Sequence, residues 1–401
     1  MADLELIHEL LTAAQTKIVL LVLDGLGGLA VKPGGPTELE AAVTPNLDRL
    51  AAEGIVGLHQ PVSPGITPGS GPGHIGLFGY DAIRYQIGRG VLEALGVDFE
   101  LQATDLAARG NFCSVDAEGN ITDRRAGRIP TEHCAELCAE LRQIALPGVE
   151  LFVEPVREHR FLLVLRGEGL AEGVADTDPG HTGVPPLDVT ATDPGAEAAA
   201  ALARRFVEEA GGRLAGRDPA NMITLRGFAK KPDWPLFPET FGLRSVAVAQ
   251  YPMYRGVAKL VGMDSVDVGP SRDDLFETLT RVWPDYDFAF VHVKDPDKAG
   301  EDGDFDRKVE VIEELDGYIP RIVDLQPDVI LVTGDHSTPA ALRSHSWHPV
   351  PFLLWSPTCR RDEADRFGEK WCRGGEGGLC RSEDLMPLAL AHAGRLAKYG
   401  A

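Results

Sequence analysis

Three apolar runs in this chain end the same way. Ile18–Leu23 (IVLLVL) runs into Asp24-Gly25, Phe288–Val293 (FAFVHV) into Lys294, Asp295 and Asp297, and Val329–Val332 (VILV) into Thr333-Gly334-Asp335-His336. The runs are continuous, not alternating, which is the pattern of strands covered on both faces. Helical stretches separate them. Thr44–Gly54 (TPNLDRLAAEG) places Thr before Pro at the first helical position, sets Leu47, Leu50 and Ala51 on one face, and stops at Gly54. A further run, Phe352–Trp355, follows Ser344-His345-Ser346. Buried strands alternating with helices predict an α/β fold with a mostly parallel sheet and helices on both faces.

The middle of the chain has another texture. A Pro-rich acidic stretch around Asp176–Asp193, an Ala-rich amphipathic helix from Asp193 to Gly211 and short β-like runs such as Phe161–Leu165 predict an inserted α+β domain. The expected division is 1–108 with 245–401 as a discontinuous core, and 109–244 as the insertion.

In open α/β sheets the working crevice lies beyond the carboxyl ends of the strands. A single Asp-Gly or Asp-His there would be an ordinary turn, but several in one chain suggest a shared site. Two sets of metal-ligating types can be assembled: Asp24 with Asp335 and His336, and Asp297 with Glu301 and His345. Asp297 and Glu301, four apart, share one face of a helical turn. Carboxylates mixed with imidazoles suit Mn²⁺ or Zn²⁺ better than Ca²⁺, and paired divalent ions are a device for in-line phosphoryl transfer. The candidate nucleophile is Ser70, inside Pro68-Gly69-Ser70-Gly71-Pro72-Gly73-His74, with a helix expected beyond it to supply backbone N–H groups for an anion. Asp123-Arg124-Arg125-Ala126-Gly127-Arg128 packs three guanidiniums into five residues, and Arg226, Arg255 and Lys259 lie in or near the insertion. Together these are the candidate clamp for phosphate and carboxylate.

That clamp works against the field of the whole molecule. With 61 acidic and 39 basic residues the net charge is -22, which disfavours nucleic acid and anionic membrane as partners and requires a concentrated Arg/Lys pocket to catch any phosphorylated substrate. The first ten residues, MADLELIHEL, lack the basic start of a signal peptide, and the six cysteines form no CxxC pair. A cytoplasmic protein with free thiols is therefore expected.

Leu23-Asp24-Gly25, Thr44–Gly54, Gly69-Ser70-Gly71-Pro72 and Thr333-Gly334-Asp335-His336 resemble motifs of the alkaline phosphatase superfamily. Within it, the chain is similar to the archaeal-type, cofactor-independent phosphoglycerate mutases. Gly88-Arg89-Gly90, Arg109–Phe112, Asp123–Gly127, Asp176–Pro186 and Val291–Gly303 extend the likeness, in family order, over nearly the whole chain. The resemblance implies interconversion of 3- and 2-phosphoglycerate without 2,3-bisphosphoglycerate. It also implies two divalent ions (Mn²⁺ first, with Zn²⁺, Co²⁺ or Mg²⁺ as alternatives) and a phosphoserine intermediate. By position, Ser70 would be the nucleophile; Asp24, Ser70, Asp335 and His336 would bind one ion, and Asp297, residue 301 and His345 the other. A phosphatase, a phosphodiesterase or a mutase for another metabolite would use the same core, and a non-catalytic relative would keep it without turnover. Two departures stand out. Glu301 occupies a place where the family usually has His, and Trp347-His348 follows His345 where small or acidic residues are more usual; these two residues would either crowd the site or add a ligand, and a buried Trp anchoring the loop is the plainer expectation.

Overall fold

The computed structural model describes residues 3–361 and 363–400. The chain forms two compact units, one running to Gln86 and resuming at Trp234, the other spanning Ile87–Asp233.

The first unit is built on an eight-stranded sheet. Its strands lie in the order Gly378–Arg381, Ile55–Gln60, Val350–Trp355, Val329–Thr333, Ile18–Leu23, Phe288–Val293, Ser245–Ala249 and Asp264–Ser265. All neighbours are parallel except Val350–Trp355, which runs against both of its neighbours. All six residues of Ile18–Leu23 are buried, because the strand is flanked on both edges and covered on both faces. Full burial of side chains of this size stabilises the unit by about 1.5–3 kcal/mol each. Val19, Leu21 and Leu23 join one core cluster with Leu47 and Leu50 of the helix Pro45–Glu53 and with Val311, Ile312 and Leu315 of the helix Phe305–Asp316. Pro45 opens its helix as expected, but Thr44 makes no capping bond. The Asp316 carboxylate does that work from a distant segment, accepting from the N–H groups of Asn46 (3.1 Å) and Leu47 (2.8 Å).

The central strand fixes where chemistry can occur. Leu23 pairs with Val293 on one side, and Val22 with Thr333 on the other. Asp24, the segment after Val293 and the segment after Thr333 therefore leave the sheet side by side at one end.

The second unit is an antiparallel sheet in which Asp105–Val115 pairs with Ile121–Asp123, Arg160–Arg166 and Met222–Lys230, and Glu150–Arg157 completes the hairpin with Arg160–Arg166. The helix Glu197–Leu214 buries Ala199, Ala200, Ala203, Phe206, Ala210 and Leu214, a stripe at helical spacing, and Thr131–Leu141 buries Cys134, Leu137, Cys138 and Leu141; both faces join the core of this unit. The unit is longer at its start than the expected 109–244 and shorter at its end. Arg109 lies in mid-strand, and the helix Arg89–Gly96 packs on Asp105–Val115 and Met222–Lys230. After Asp233 the chain already belongs to the first unit, where Phe237 packs at a tilt against Phe288 and Phe241 meets Tyr80 edge-on. Among the described residues no helix is long and apolar enough to cross a membrane.

Candidate active site

In the first unit the three neighbouring strand ends bring Asp24, Asp297, Asp335 and His336 together, all fully buried. Gly25, in the left-handed region at φ +67°, makes this possible. A Cβ there would stand 2.6 Å from Thr338 Oγ1 and 2.8 Å from the Asp297 Cα. Two sets of potential ligand atoms each lie within 4.8 Å of one another: Asp24, Asp335 and His336, and Asp297, His336 and His345. His336 thus belongs to both, where the sequence assigned it to one. Glu301 is in neither; its half-exposed carboxylate lies 3.8 Å from His345 Nε2.

The ring orientations are set by hydrogen bonds away from the cluster. Thr338 donates its hydroxyl to Asp297 Oδ1 (2.6 Å) and accepts from His336 Nδ1 (3.0 Å). His336 Nε2 is left facing Asp335 Oδ2 (3.0 Å), Asp24 Oδ1 (3.5 Å) and Ser70 Oγ (3.2 Å). His345 Nδ1 donates to the Pro68 carbonyl at 3.0 Å, so its Nε2 faces Asp297 Oδ1 at 3.5 Å. Outer hydrogen bonds of this kind fix the tautomer of a metal-binding imidazole.

Burial and the Asp335 charge push the Asp24 carboxyl up, but the His292 hydrogen bond and the Lys294 ammonium outweigh them and hold it below its usual range. Burial likewise raises Asp335, and His336 and His74 overcome it, leaving this group well below that range. Burial lowers His336, yet the three surrounding carboxylates raise it on balance. Asp24 Oδ1 is buried and accepts no hydrogen bond, while Asp297 Oδ2 and Asp335 Oδ2 face only cationic or imidazole groups, Lys294 at 2.6 Å and His336 at 3.0 Å. Three buried carboxylates converging on one imidazole, with one acceptor atom unfilled, fit a divalent cation.

Ser70 is the first residue of the helix Ser70–Leu77, with Gly69 as its cap; the helix begins at the hydroxyl itself, not beyond it. Ser70 Oγ therefore sits where free backbone N–H groups and the helix dipole favour negative charge. His74, one turn on, donates Nδ1–H to the Ser70 carbonyl at 2.8 Å and lies 3.3 Å from Asp335.

Several neighbours were not assigned a role from sequence. Lys294 contacts Asp24 Oδ2 (3.2 Å) and Asp297 Oδ2 (2.6 Å) and donates to the Tyr254 hydroxyl (2.7 Å). His292 donates to Asp24 Oδ2 at 2.9 Å and stacks on Tyr254. Burial lowers the Lys294 ammonium, but Asp24, Asp297 and Asp335 raise it on balance, so it remains cationic. The readable signal was the polar His292 within FAFVHV, two residues before Lys294. Trp347, expected as a buried anchor, is exposed and stacks on His348, and neither joins the ligand sets.

In the second unit Arg124, Arg125, Arg128 and Arg226 line one cavity of about 420 Å³ together with Arg109, Asn111, Arg157, Glu158, His159 and Arg160. Asp178, in the Pro-rich acidic stretch, receives Arg124 in a two-point contact at 2.9 Å and 2.9 Å, and Arg226 at 3.5 Å. Asp123 is not part of the lining; its carboxylate accepts from the N–H groups of Arg125 (2.8 Å) and Gly127 (2.7 Å) and shapes the arginine loop. Arg255 and Lys259 lie outside this cavity, on the helix Pro252–Leu260 of the first unit, where Arg255 pairs with Asp267.

A family model described as 2,3-bisphosphoglycerate-independent phosphoglycerate mutase matches residues 51–219. The chain is 50% identical over 401 residues to a Thermus thermophilus protein named probable 2,3-bisphosphoglycerate-independent phosphoglycerate mutase, with 98% of each chain covered. An Aquifex aeolicus protein of the same name is 48% identical over 408 residues, covering 99% of this chain and 100% of its own. Among solved structures, the cofactor-independent phosphoglycerate mutase from Thermoplasma acidophilum shares 30% identity and a TM-score of 0.75, over 94% of this chain and 100% of that one.

Proposed function

The chain belongs to the 2,3-bisphosphoglycerate-independent phosphoglycerate mutase family, and on that footing we propose that it interconverts 3- and 2-phosphoglycerate through a phosphoserine at Ser70. The observation that carries this reading is the place of Ser70: its hydroxyl opens a helix and lies 3.2 Å from His336 Nε2, the one group common to both ligand sets.

Asp24, Ser70, Asp335 and His336 would hold one divalent ion and Asp297, His345 and the shared His336 the other, with Glu301 entering the second site from the rim beside His345 and Mn²⁺ the best match to this donor mixture. Bound there, the ions supply charge neutralisation for the phosphoryl oxygens and lower the pKa of the serine hydroxyl. Ser70 Oγ forms a bond to phosphorus as the ester bond to the glycerate 3-oxygen breaks, and the departing oxygen takes a proton. The 2-hydroxyl of the same glycerate then displaces Ser70 from phosphorus, and the proton balance reverses. The helix N-terminus steadies charge at Ser70, and cationic Lys294 limits the repulsion among the carboxylates as an anionic substrate arrives. Arg124, Arg125, Arg128 and Arg226 supply the cationic wall that attracts the anionic groups of the substrate; Arg124 and Arg226 are held in place by Asp178.

The test is ³¹P NMR of 3-phosphoglycerate with the Mn²⁺-loaded protein and no 2,3-bisphosphoglycerate. Growth of a 2-phosphoglycerate resonance is expected. Inorganic phosphate as the sole product would replace the mutase reading with a phosphatase, and bound metal without any turnover would indicate a non-catalytic relative.

A further inference from the structure

The arginine cavity holds more than its arginine loop accounts for. Three of its guanidiniums are matched by acids of their own unit: Arg109 by Glu93, Arg124 by Asp178, and Arg226 by Asp176 and Asp178. Arg125, Arg128, Arg157 and Arg160 have no acidic partner among the described residues. Two of these four, Arg157 and Arg160, face each other across a tight hairpin as paired residues. The hairpin is held in an unusual shape, with Glu158 in the left-handed region at φ +52°. It is pinned at two points: Glu158 N–H donates to Thr131 Oγ1 (3.0 Å), and the His159 carbonyl accepts from Phe112 N–H (2.8 Å). Asn111 is the register partner of Arg160 on the next strand.

The polar atoms here are not only cationic. Asn111 Oδ1, His159 Nδ1 and Arg160 Nε are each buried without a hydrogen-bond partner, although Asn111 and His159 are themselves buried residues lining the cavity. Such orphaned atoms are uncommon and costly unless a ligand completes them. Burial and the neighbouring guanidiniums push the His159 ring down to about 4, so at neutral pH it offers one acceptor and one donor nitrogen. A phosphoryl group presents only acceptors and would leave an amide oxygen and an imidazole lone pair unused. A hydroxy acid presents a carboxylate for guanidiniums and a hydroxyl that donates to such an acceptor.

We propose that the Arg157–Arg160 hairpin and Asn111 form the subsite for the hydroxy-acid end of the substrate, with Arg157 and Arg160 on the carboxylate and Asn111 and His159 on the free hydroxyl. The assignment rests on the phosphoglycerate reading above. It makes the hairpin a specificity element, one that separates phosphorylated hydroxy acids from other small phosphate esters.

The experiment is calorimetric binding to the full-length protein of 3-phosphoglycerate and of 3-phosphooxypropanoate, which lacks the 2-hydroxyl. The wild type should favour 3-phosphoglycerate, whereas Asn111→Leu and His159→Phe should bind the two compounds equally. Arg157→Gln, at an exposed position, and Arg160→Gln should weaken both compounds by about 10- to 100-fold, the range of a lost charge-assisted contact. Thermal melts identify any variant that fails to fold, and Arg157→Gln with Arg160→Lys then carries the test. Unchanged affinity in the hairpin variants, alongside weakened binding in Arg125→Gln and Arg128→Gln, overturns the hairpin assignment and leaves the cavity as the substrate site. If the Arg125 and Arg128 variants also bind normally, the substrate reading of the whole cavity falls with it.

Discussion

Lys308 is the least conventional residue beneath the candidate metal site, and Lys308→Met tests how that site is supported. The side chain leaves the helix Phe305–Asp316 fully buried, and its ammonium donates to the carbonyls of Gly25 (2.8 Å), Gly27 (3.1 Å) and Thr338 (2.9 Å). Burial lowers its pKa, while the charges of Glu38 and Glu369 act to raise it. Methionine keeps the volume and removes the donor. The Gly25 and Gly27 carbonyls would still accept from Thr338 N–H, but the Thr338 carbonyl would be orphaned, at about 1–3 kcal/mol. Three charge-assisted bonds also go, offset in part because no ammonium is then held out of water. The net expectation is a loss of about 2–4 kcal/mol, read as a lowered urea midpoint with an unchanged slope. Gly25 follows Asp24, and Thr338 holds both Asp297 and His336, so metal affinity measured by titration should fall as well. A variant with wild-type midpoint and wild-type metal affinity would refute the reasoning: the carbonyl cradle would then be incidental packing.

Ser70→Ala should retain the wild-type melting temperature while mutase turnover falls to background, and protein-bound phosphate after incubation with labelled 3-phosphoglycerate should vanish; persistent labelling would place the intermediate elsewhere. Because Glu301 touches His345 from the rim of the site, Glu301→Ala should weaken the second ion by about 10- to 100-fold, and two fully occupied sites by metal analysis would show that it is not a ligand. Burial pushes His59 down to about 4 from its usual 6.5, so within that window the unfolded chain binds a proton that the folded chain does not. Stability from this group is present above pH 6.5 and lost as pH falls toward 4, by about 3 kcal/mol in all; His59→Gln should flatten the corresponding slope of urea midpoint against pH, and an unaltered slope would reject the assignment.

The sheet was legible because its strands are buried on both faces. Ile18–Leu23 and Phe288–Val293 carry no alternation to confuse and end in residues that cannot stay in a core strand, so their limits read directly from the sequence. Boundaries between the units were harder. The strand Asp105–Val115 begins with a buried Asp and includes Arg109, Gly110 and Asn111. Asp105 is matched by Arg166 of the neighbouring strand at 2.6 Å, a partner 61 residues away that no local pattern shows. Thr44 failed as a cap for the same reason: its rival, Asp316, is local in space and remote in sequence.

The same distinction runs through the site. The convergence of Asp24, Asp335 and His336 was legible because each follows a strand end, and the sheet alone brings strand ends together. The division of ligands into two independent sets could not be read, since whether His336 serves one set or both depends on where its ring turns, and Thr338 Oγ1 at 3.0 Å decides that. The arginine loop announced itself by charge density. The hairpin Arg157-Glu158-His159-Arg160 did not, because two arginines beside a glutamate look like a solvated turn. What distinguishes them is absence of an acidic partner within the folded unit, and that becomes visible only once Asp178 is seen to be engaged with Arg124 and Arg226. In a chain with a net charge of -22, guanidiniums left unmatched inside a cavity are the strongest mark of where an anion belongs.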